Sequence, residues 1–312
     1  MNTKWNPRTA IILTALFAFA AAIPAFAINT ARARADFDGD GKSDLSVFRG
    51  SDATWYLDRS TTGLAQERFG LPGDIPVPGD YDNDGKTDFA MFRPESDPAN
   101  ADYYVMNSST GTVTYQFWGL PGDIPFAGDF DGDNKADYAL WRPSESTWYV
   151  LKSNGGFIKT PFGRSTDIPV IGDFDGDFRS DLAVYRPGSG GNLSSWSIRP
   201  SAGGGDVTLM FGVAGDMPVP ADYNGDGKDD LAVFRPSDGT WNVLDAATGQ
   251  TKVTKYGQEG DVPVPGDYDG DGNSDFAVFR NGTWYMNRST SGMTQTPFGL
   301  ATDMPIAKQY IP

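Results

Sequence analysis

Residues 80–88 read DYDNDGKTD. Aspartate stands at the first, third, fifth and ninth positions, and four like charges that close repel one another in a folded chain. The same segment returns as DFDGDGKSD at 36–44, DFDGDNKAD at 129–137, DFDGDFRSD at 173–181, DYNGDGKDD at 222–230 and DYDGDGNSD at 267–275. Successive first aspartates lie 44, 49, 44, 49 and 45 residues apart. Self-similarity at that period marks an array of supersecondary units.

The flanks repeat in phase. A stretch like GDIPVPGD (73–80) precedes each acidic segment but the first, and one like FAMFRP (89–94) follows. An aromatic run such as STWYVLKS (146–153) comes next. Each unit closes on an aromatic-glycine step: Phe69-Gly70, Trp118-Gly119, Phe162-Gly163, Phe211-Gly212, Tyr256-Gly257 and Phe298-Gly299. Four short strand-like runs per unit, divided by turn residues, predict an all-β chain.

Pro76 and Pro78 stand two apart, as do Pro218 and Pro220, and Pro263 and Pro265. In an extended segment both missing N–H donors then fall along one edge, which must be unpaired. That edge is expected to line the centre of a propeller. The first unit lacks its Ile-Pro strand, and the chain ends in TDMPIAKQYIP (302–312), which matches TDIPVIGDFDG (166–176). The reading is a six-bladed β-propeller over 36–312 in which the C-terminal strand completes the first blade. Closure removes the open sheet edges of an all-β array.

The Phe-Gly step, the Gly-Asp-(Ile/Val/Met)-Pro turn and the acidic segment resemble FG-GAP/VCBS repeats, the units of integrin alpha-subunit propellers and of many bacterial secreted proteins. The resemblance implies a calcium loop set in a β-hairpin. Integrin propellers usually have seven blades, against the six counted here.

The chemistry of the aspartates agrees. Calcium takes about six to eight oxygen ligands, mixing carboxylates with carbonyls, whereas magnesium demands near-octahedral geometry and keeps several waters. In the second unit the expected ligands are Asp80, Asp82, Asp84 and Asp88, with the carbonyl of Lys86 between them. The first unit offers Asp36, Asp38, Asp40 and Asp44 with Lys42, the third Asp129, Asp131, Asp133 and Asp137 with Lys135. The fourth offers Asp173, Asp175, Asp177 and Asp181 with Arg179, the fifth Asp222, Asn224, Asp226 and Asp230 with Lys228, and the sixth Asp267, Asp269, Asp271 and Asp275 with Asn273. Up to six Ca2+ are therefore expected. The segment begins like an EF-hand loop but lacks the twelfth-position glutamate and the flanking helices. Gly85 permits a positive φ at the sixth position, and Asn134 tolerates one, whereas Phe178 does so at a cost. The fourth loop is expected to be the weakest or most distorted.

Composition excludes much else. The chain carries 41 acidic and 25 basic residues, a net charge of −16, and neither Cys nor His. It cannot form a disulfide, a His or Cys metal site, a Cys nucleophile or a His base. An acidic chain is a poor partner for nucleic acid. Lys4 and Arg8, the apolar run of 10–22 and Ala25-Phe26-Ala27 form a secretory signal peptide expected to be cut after Ala27, leaving a linker over 28–35. The mature chain has no other candidate membrane span. It is expected to be secreted, extracellular and monomeric.

Two further rings are written into the repeat. Asp74, Asp123, Asp167, Asp216, Asp261 and Asp303 precede the Pro step, and Arg49, Arg93, Arg142, Arg186, Arg235 and Arg280 end the second strand. They are read as architectural ion pairs on the face opposite the calcium loops. Trp55, Trp148, Trp196, Trp241 and Trp284, with Tyr103 or Tyr104 in the second unit, are read as packing between blades. The leading functional expectation is a secreted calcium-binding propeller that acts in adhesion or scaffolding, with an extracellular protein or glycan as ligand. The alternative is a propeller lectin with sugar sites between blades, which needs exposed Trp side chains. A polysaccharide-active enzyme needs a paired acid and base, and Glu67, Glu95, Glu145 and Glu259 show no pairing in sequence. The chain is therefore read as a non-enzyme.

Overall fold

In a computed structural model of the chain, the described residues are 35–307 except 95, 96, 98, 99, 101, 246 and 247. The expected signal peptide, most of the linker and the terminal segment 308–312 lie outside them. Ala35, which the sequence reading places in the linker, is buried, and its carbonyl accepts the Asp44 N–H at 3.0 Å.

The described residues form six antiparallel four-stranded sheets and no helix. Five sheets use strands in chain order, as in the second blade: Ile75–Pro76, Phe89–Phe92, Tyr103–Met106 and Val113–Gln116. In the first blade the inner strand comes from the far end of the chain. Met304–Pro305 pairs with Leu45–Arg49, Val47 opposite Pro305 and Phe48 opposite Met304. The ring thus closes as the sequence predicts.

The prolines set the length of the inner strands. Val77, Val219 and Val264 donate their N–H groups to Ala90, Ala232 and Ala277 of the second strands at 2.8–2.9 Å. By alternation the nitrogens of Pro76 and Pro78 face away, toward the ring centre. Where a second proline is present the ladder runs two residues and resumes as an isolated bridge, Gly79 to Asp88, Ala221 to Asp230 and Gly266 to Asp275. Where Ala127 or Ile171 replaces it, Ile124–Gly128 and Ile168–Gly172 run five residues. Proline's fixed φ near −65° cannot follow the extended backbone.

Second strands are buried on both faces, as a blade sandwiched between two others requires. Each core cluster spans a blade junction; the one that joins the sixth blade to the first contains Val264, Phe279 and Trp284 together with Leu45, Val47 and Ala307. Trp55, Trp148, Trp196, Trp241, Trp284 and Tyr103 are all fully buried. The indole N–H groups of Trp55, Trp241 and Trp284 donate to the carbonyls of Phe69, Tyr256 and Phe298, the aromatic residues of the aromatic-glycine step. The glycine that follows is forced by space as well as by φ. A Cβ on Gly119 would lie 2.7 Å from the Phe92 ring, and one on Gly163 2.9 Å from Val184 of the next blade.

Candidate functional site

Each acidic loop is organised around its first and last aspartates. One oxygen of the first, from Asp36, Asp80, Asp129, Asp173, Asp222 or Asp267, accepts the fourth-position N–H at 2.6 Å in all six loops. The other oxygen accepts the sixth-position N–H at 2.8–3.0 Å. The ninth-position aspartate accepts the N–H of the second residue at 2.7–3.2 Å, which closes the turn. The fifth, Asp40, Asp84, Asp133, Asp177, Asp226 or Asp271, accepts the seventh-position N–H at 2.9–3.0 Å.

These bonds gather the carboxylates. Oxygens of Asp36, Asp38 and Asp40 lie within 4.8 Å of one another, as do those of Asp80, Asp82 and Asp88, of Asp129, Asp131 and Asp137, of Asp173, Asp175 and Asp181, and of Asp267, Asp269 and Asp271. Each trio joins the first and third positions to either the fifth or the ninth, so the four expected side chains do not all converge at once. One oxygen each of Asp38, Asp131 and Asp269 is buried without any hydrogen-bond partner. Burial pushes the ninth-position carboxyls up, to about 6 for Asp44, Asp88, Asp137 and Asp275 and about 7 for Asp181. Converging, dehydrated carboxylates with orphaned oxygens fit a hard cation, and an all-oxygen donor set suits calcium or magnesium.

The fourth loop departs from expectation. Phe178 takes φ +68° and stays 60% exposed, yet its N–H bonds Asp173 at 2.8 Å like any other sixth residue. The loop keeps its backbone pattern and stores the strain in one torsion. The fifth loop is the divergent one. No carboxylate trio is found there among the described residues. The Asn224 amide nitrogen donates to Asp230 at 3.3 Å, while its oxygen accepts the Asp226 N–H at 2.9 Å. An amide thus occupies the carboxylate that a cation would bridge.

Sequence reasoning missed the lid of the loop. The turn after the third strand folds over it, and the N–H groups of Ser60, Ser108, Ser153, Ser201 and Ser289 donate to the ninth-position aspartates at 2.6–2.7 Å. The hydroxyls of Ser60, Ser153 and Ser289 reach the fifth-position aspartates at 2.6 Å. The signal was a serine at one repeat position, replaced by Ala246 in the fifth unit.

Neighbouring loops are bonded through the backbone. The eighth-position N–H donates to the first-position carbonyl of the preceding blade at 2.6–2.7 Å: Thr87 to Asp36, Ala136 to Asp80, Ser180 to Asp129, Asp229 to Asp173, Ser274 to Asp222 and Ser43 to Asp267. The circuit is complete. The seventh-position side chains Lys86, Arg179, Lys228, Asn273 and Lys42 then lie over Gly39, Gly132, Gly176, Gly225 and Gly270 of the preceding loops.

At the opposite end of the second strands, Arg49, Arg93, Arg142, Arg186, Arg235 and Arg280 hold Asp303, Asp74, Asp123, Asp167, Asp216 and Asp261 through two bonds each, 2.5–2.9 Å long. The aspartates are buried and also accept a backbone N–H three residues upstream, as from Leu71 to Asp74 at 2.7 Å. The arginines stay partly exposed, four of them stacked over Tyr56, Tyr104, Tyr149 and Tyr285. The Asp–Arg contacts expected from the repeat are thus present in all six blades.

Residues 36–91 and 129–184 match the FG-GAP-like repeat, and 218–254 match the FG-GAP repeat. No curated protein matches the chain. Among solved structures, an Agrocybe aegerita lectin that recognises non-reducing terminal N-acetylglucosamine is similar at 17% identity and a TM-score of 0.54, over 83% of this chain and 76% of its own. TolB from Acinetobacter baumannii is similar at 14% identity and a TM-score of 0.55, over 86% of this chain and 64% of its own. Likeness at these identities establishes the propeller and nothing finer.

Proposed function

The chain carries FG-GAP-like repeats on a closed six-bladed ring, and from that premise we propose that it is a calcium-stabilised binding propeller, exported by its N-terminal segment and acting in adhesion or scaffolding outside the cell. The observation that carries the calcium reading is the set of buried, unpartnered oxygens on Asp38, Asp131 and Asp269, each within a carboxylate trio. A buried acceptor left unsatisfied costs about 1–3 kcal/mol, and a bound cation removes that cost. Calcium supplies charge neutralisation and oxygen coordination; it stands in for the disulfides that a chain without Cys cannot form. The first-, third-, fifth- and ninth-position side chains would hold it, with the seventh-position carbonyl. Magnesium is the weaker fit, because it demands near-octahedral geometry and keeps several waters.

The ligand of such a module is an extracellular protein or glycan, bound by a monomer; the acidic surface disfavours nucleic acid. Stacking of sugars on the repeated tryptophans has no support, since all five are fully buried. The charged rings are engaged in architecture, and we assign no reaction to them.

The test is denaturant unfolding of residues 28–312 in calcium and in chelator, with calcium titration calorimetry and the variant Asp131→Asn. Calcium should raise the unfolding midpoint, with five loops binding more tightly than the fifth-blade loop. Asp131→Asn should reduce the calcium-dependent gain, by about 1.4 kcal/mol for each tenfold loss of affinity at saturating calcium, and leave the chelated protein at least as stable. Equal stability with and without calcium would overturn the reading.

A further inference from the structure

A cavity of about 300 Å3 opens at the junction of the sixth and first blades, beside the acidic loops. Three cations line it: Lys42 and Arg59 from the first blade and Arg288 from the sixth. On a chain of net charge −16 that concentration is unusual. Among the described residues none of the three forms an ion pair, although the Lys42 ammonium acts on Asp40 at longer range. Arg59 and Arg288 each give one N–H to the carbonyl that ends their own turn, Gly63 at 3.2 Å and Gly292 at 3.4 Å. The remaining guanidinium donors are uncommitted. Ser43 lines the same cavity, is 97% buried, and its hydroxyl has no hydrogen-bond partner.

The other junctions do not assemble this set. The third and fourth blades carry Lys152 and Pro200 at the Arg59 position, and Arg199, one residue earlier, is held by Asp206 through two bonds of 2.7 Å. The second and fifth blades carry Asn107 and Asp245 at the Arg59 position.

We propose that this junction is a binding site for a small anionic, hydroxylated ligand: a sugar that bears a sulfate, phosphate or carboxylate group. Arg and Lys donors recognise those oxyanions. Asp58, also on the wall, supplies an acceptor for a hydroxyl, and Leu45 and Met286 give an apolar side. The cavity is at the lower end of the size that holds small ligands, about 300–1,000 Å3, which suits one sugar unit and not a chain. The acidic surface around it repels long polyanions, so the site selects a single terminal charge. The inference rests on the reading of the chain as a binding module and gives it a ligand class.

The experiment titrates the calcium-loaded protein with inorganic sulfate, inorganic phosphate, glucuronate, glucose 6-phosphate and neutral glucose by calorimetry, with calcium-dependent stability measured on the same samples. Saturable binding of at least one anion with glucose silent is expected, and the strongest anion identifies the source of the charge. Arg288→Gln and Arg59→Gln should each weaken binding about tenfold or more, while Lys255→Gln on the outer strand of the fifth blade should leave it unchanged. No binding of any anion, equal binding of glucose, or undiminished binding in Arg288→Gln would overturn the proposal. Because the calcium response is read separately, failure here leaves that reading standing, and the reverse holds too. If Arg59→Gln does not fold, Arg288→Gln decides.

Discussion

At the scale of the residue, the loops separate what a position must do from what it must be. The sixth residue has to adopt a positive φ and present its N–H to the first aspartate. Gly41, Gly85, Gly227 and Gly272 do so without strain, and Asn134 does so at φ +70°. Phe178 does so at a cost of about 1–2 kcal/mol, with its ring exposed and contributing little packing. Phe178→Gly should therefore stabilise the protein by up to about 1 kcal/mol after glycine's own entropy cost, read as a rise in denaturation midpoint. A fall of similar size would show that the ring has contacts that repay the strain. The identity of Phe178 was legible in the sequence, but its consequence was not: substitution predicted distortion, and the backbone kept its pattern because three other hydrogen bonds of the loop define it. Asn224, expected as a ligand in the fifth loop, instead donates its own amide to Asp230.

At the scale of the element, the inner strand shows how a sequence pattern encodes an edge. Pro78, Pro220 and Pro265 sit where the backbone nitrogen faces the ring centre, and Ile171 sits at the same place in the fourth blade. Ile171→Pro should change stability by less than about 1 kcal/mol, the loss of part of a half-buried side chain. Val170→Pro, one residue earlier and opposite Ala183, removes a ladder bond and should cost about 2–4 kcal/mol. Urea denaturation of the two variants measures the contrast, and equal costs would refute the assignment of the free edge. Strand order was legible because prolines, apolar runs and turns repeat in phase. The serine lid was not, because Ser60 and Asp40 meet only after a strand pair has folded between them. The cation-lined junction was hidden for a stronger reason: Lys42, Arg59 and Arg288 come from segments at opposite ends of the chain.

At the scale of the whole molecule, stability depends on closure. Met304–Pro305 contributes only a two-residue ladder, but Asp303 beside it is buried and held by Arg49 through two bonds of 2.8 Å. Removal of residues 303–312 leaves that guanidinium without its carboxylate and bares the edge of Leu45–Arg49. An exposed apolar edge pairs with other chains. The shortened protein should lose its single cooperative unfolding transition and form oligomers, seen by calorimetry and size-exclusion chromatography. A monomer with an unchanged transition would show that the ring does not need its clasp.

The backbone circuit among the acidic loops has a consequence for where a polypeptide of this shape can be cut. The bond from Ser43 to Asp267 is 2.7 Å, within the 2.6–2.7 Å range of those between blades joined by continuous chain, so the circuit has no seam. The order of the blades in the gene is then a matter of history. A circular permutant that links the present ends and opens instead at the exposed glycines Gly190 and Gly191 would restore every contact of the ring, with the fourth blade left to be completed by the last two strands.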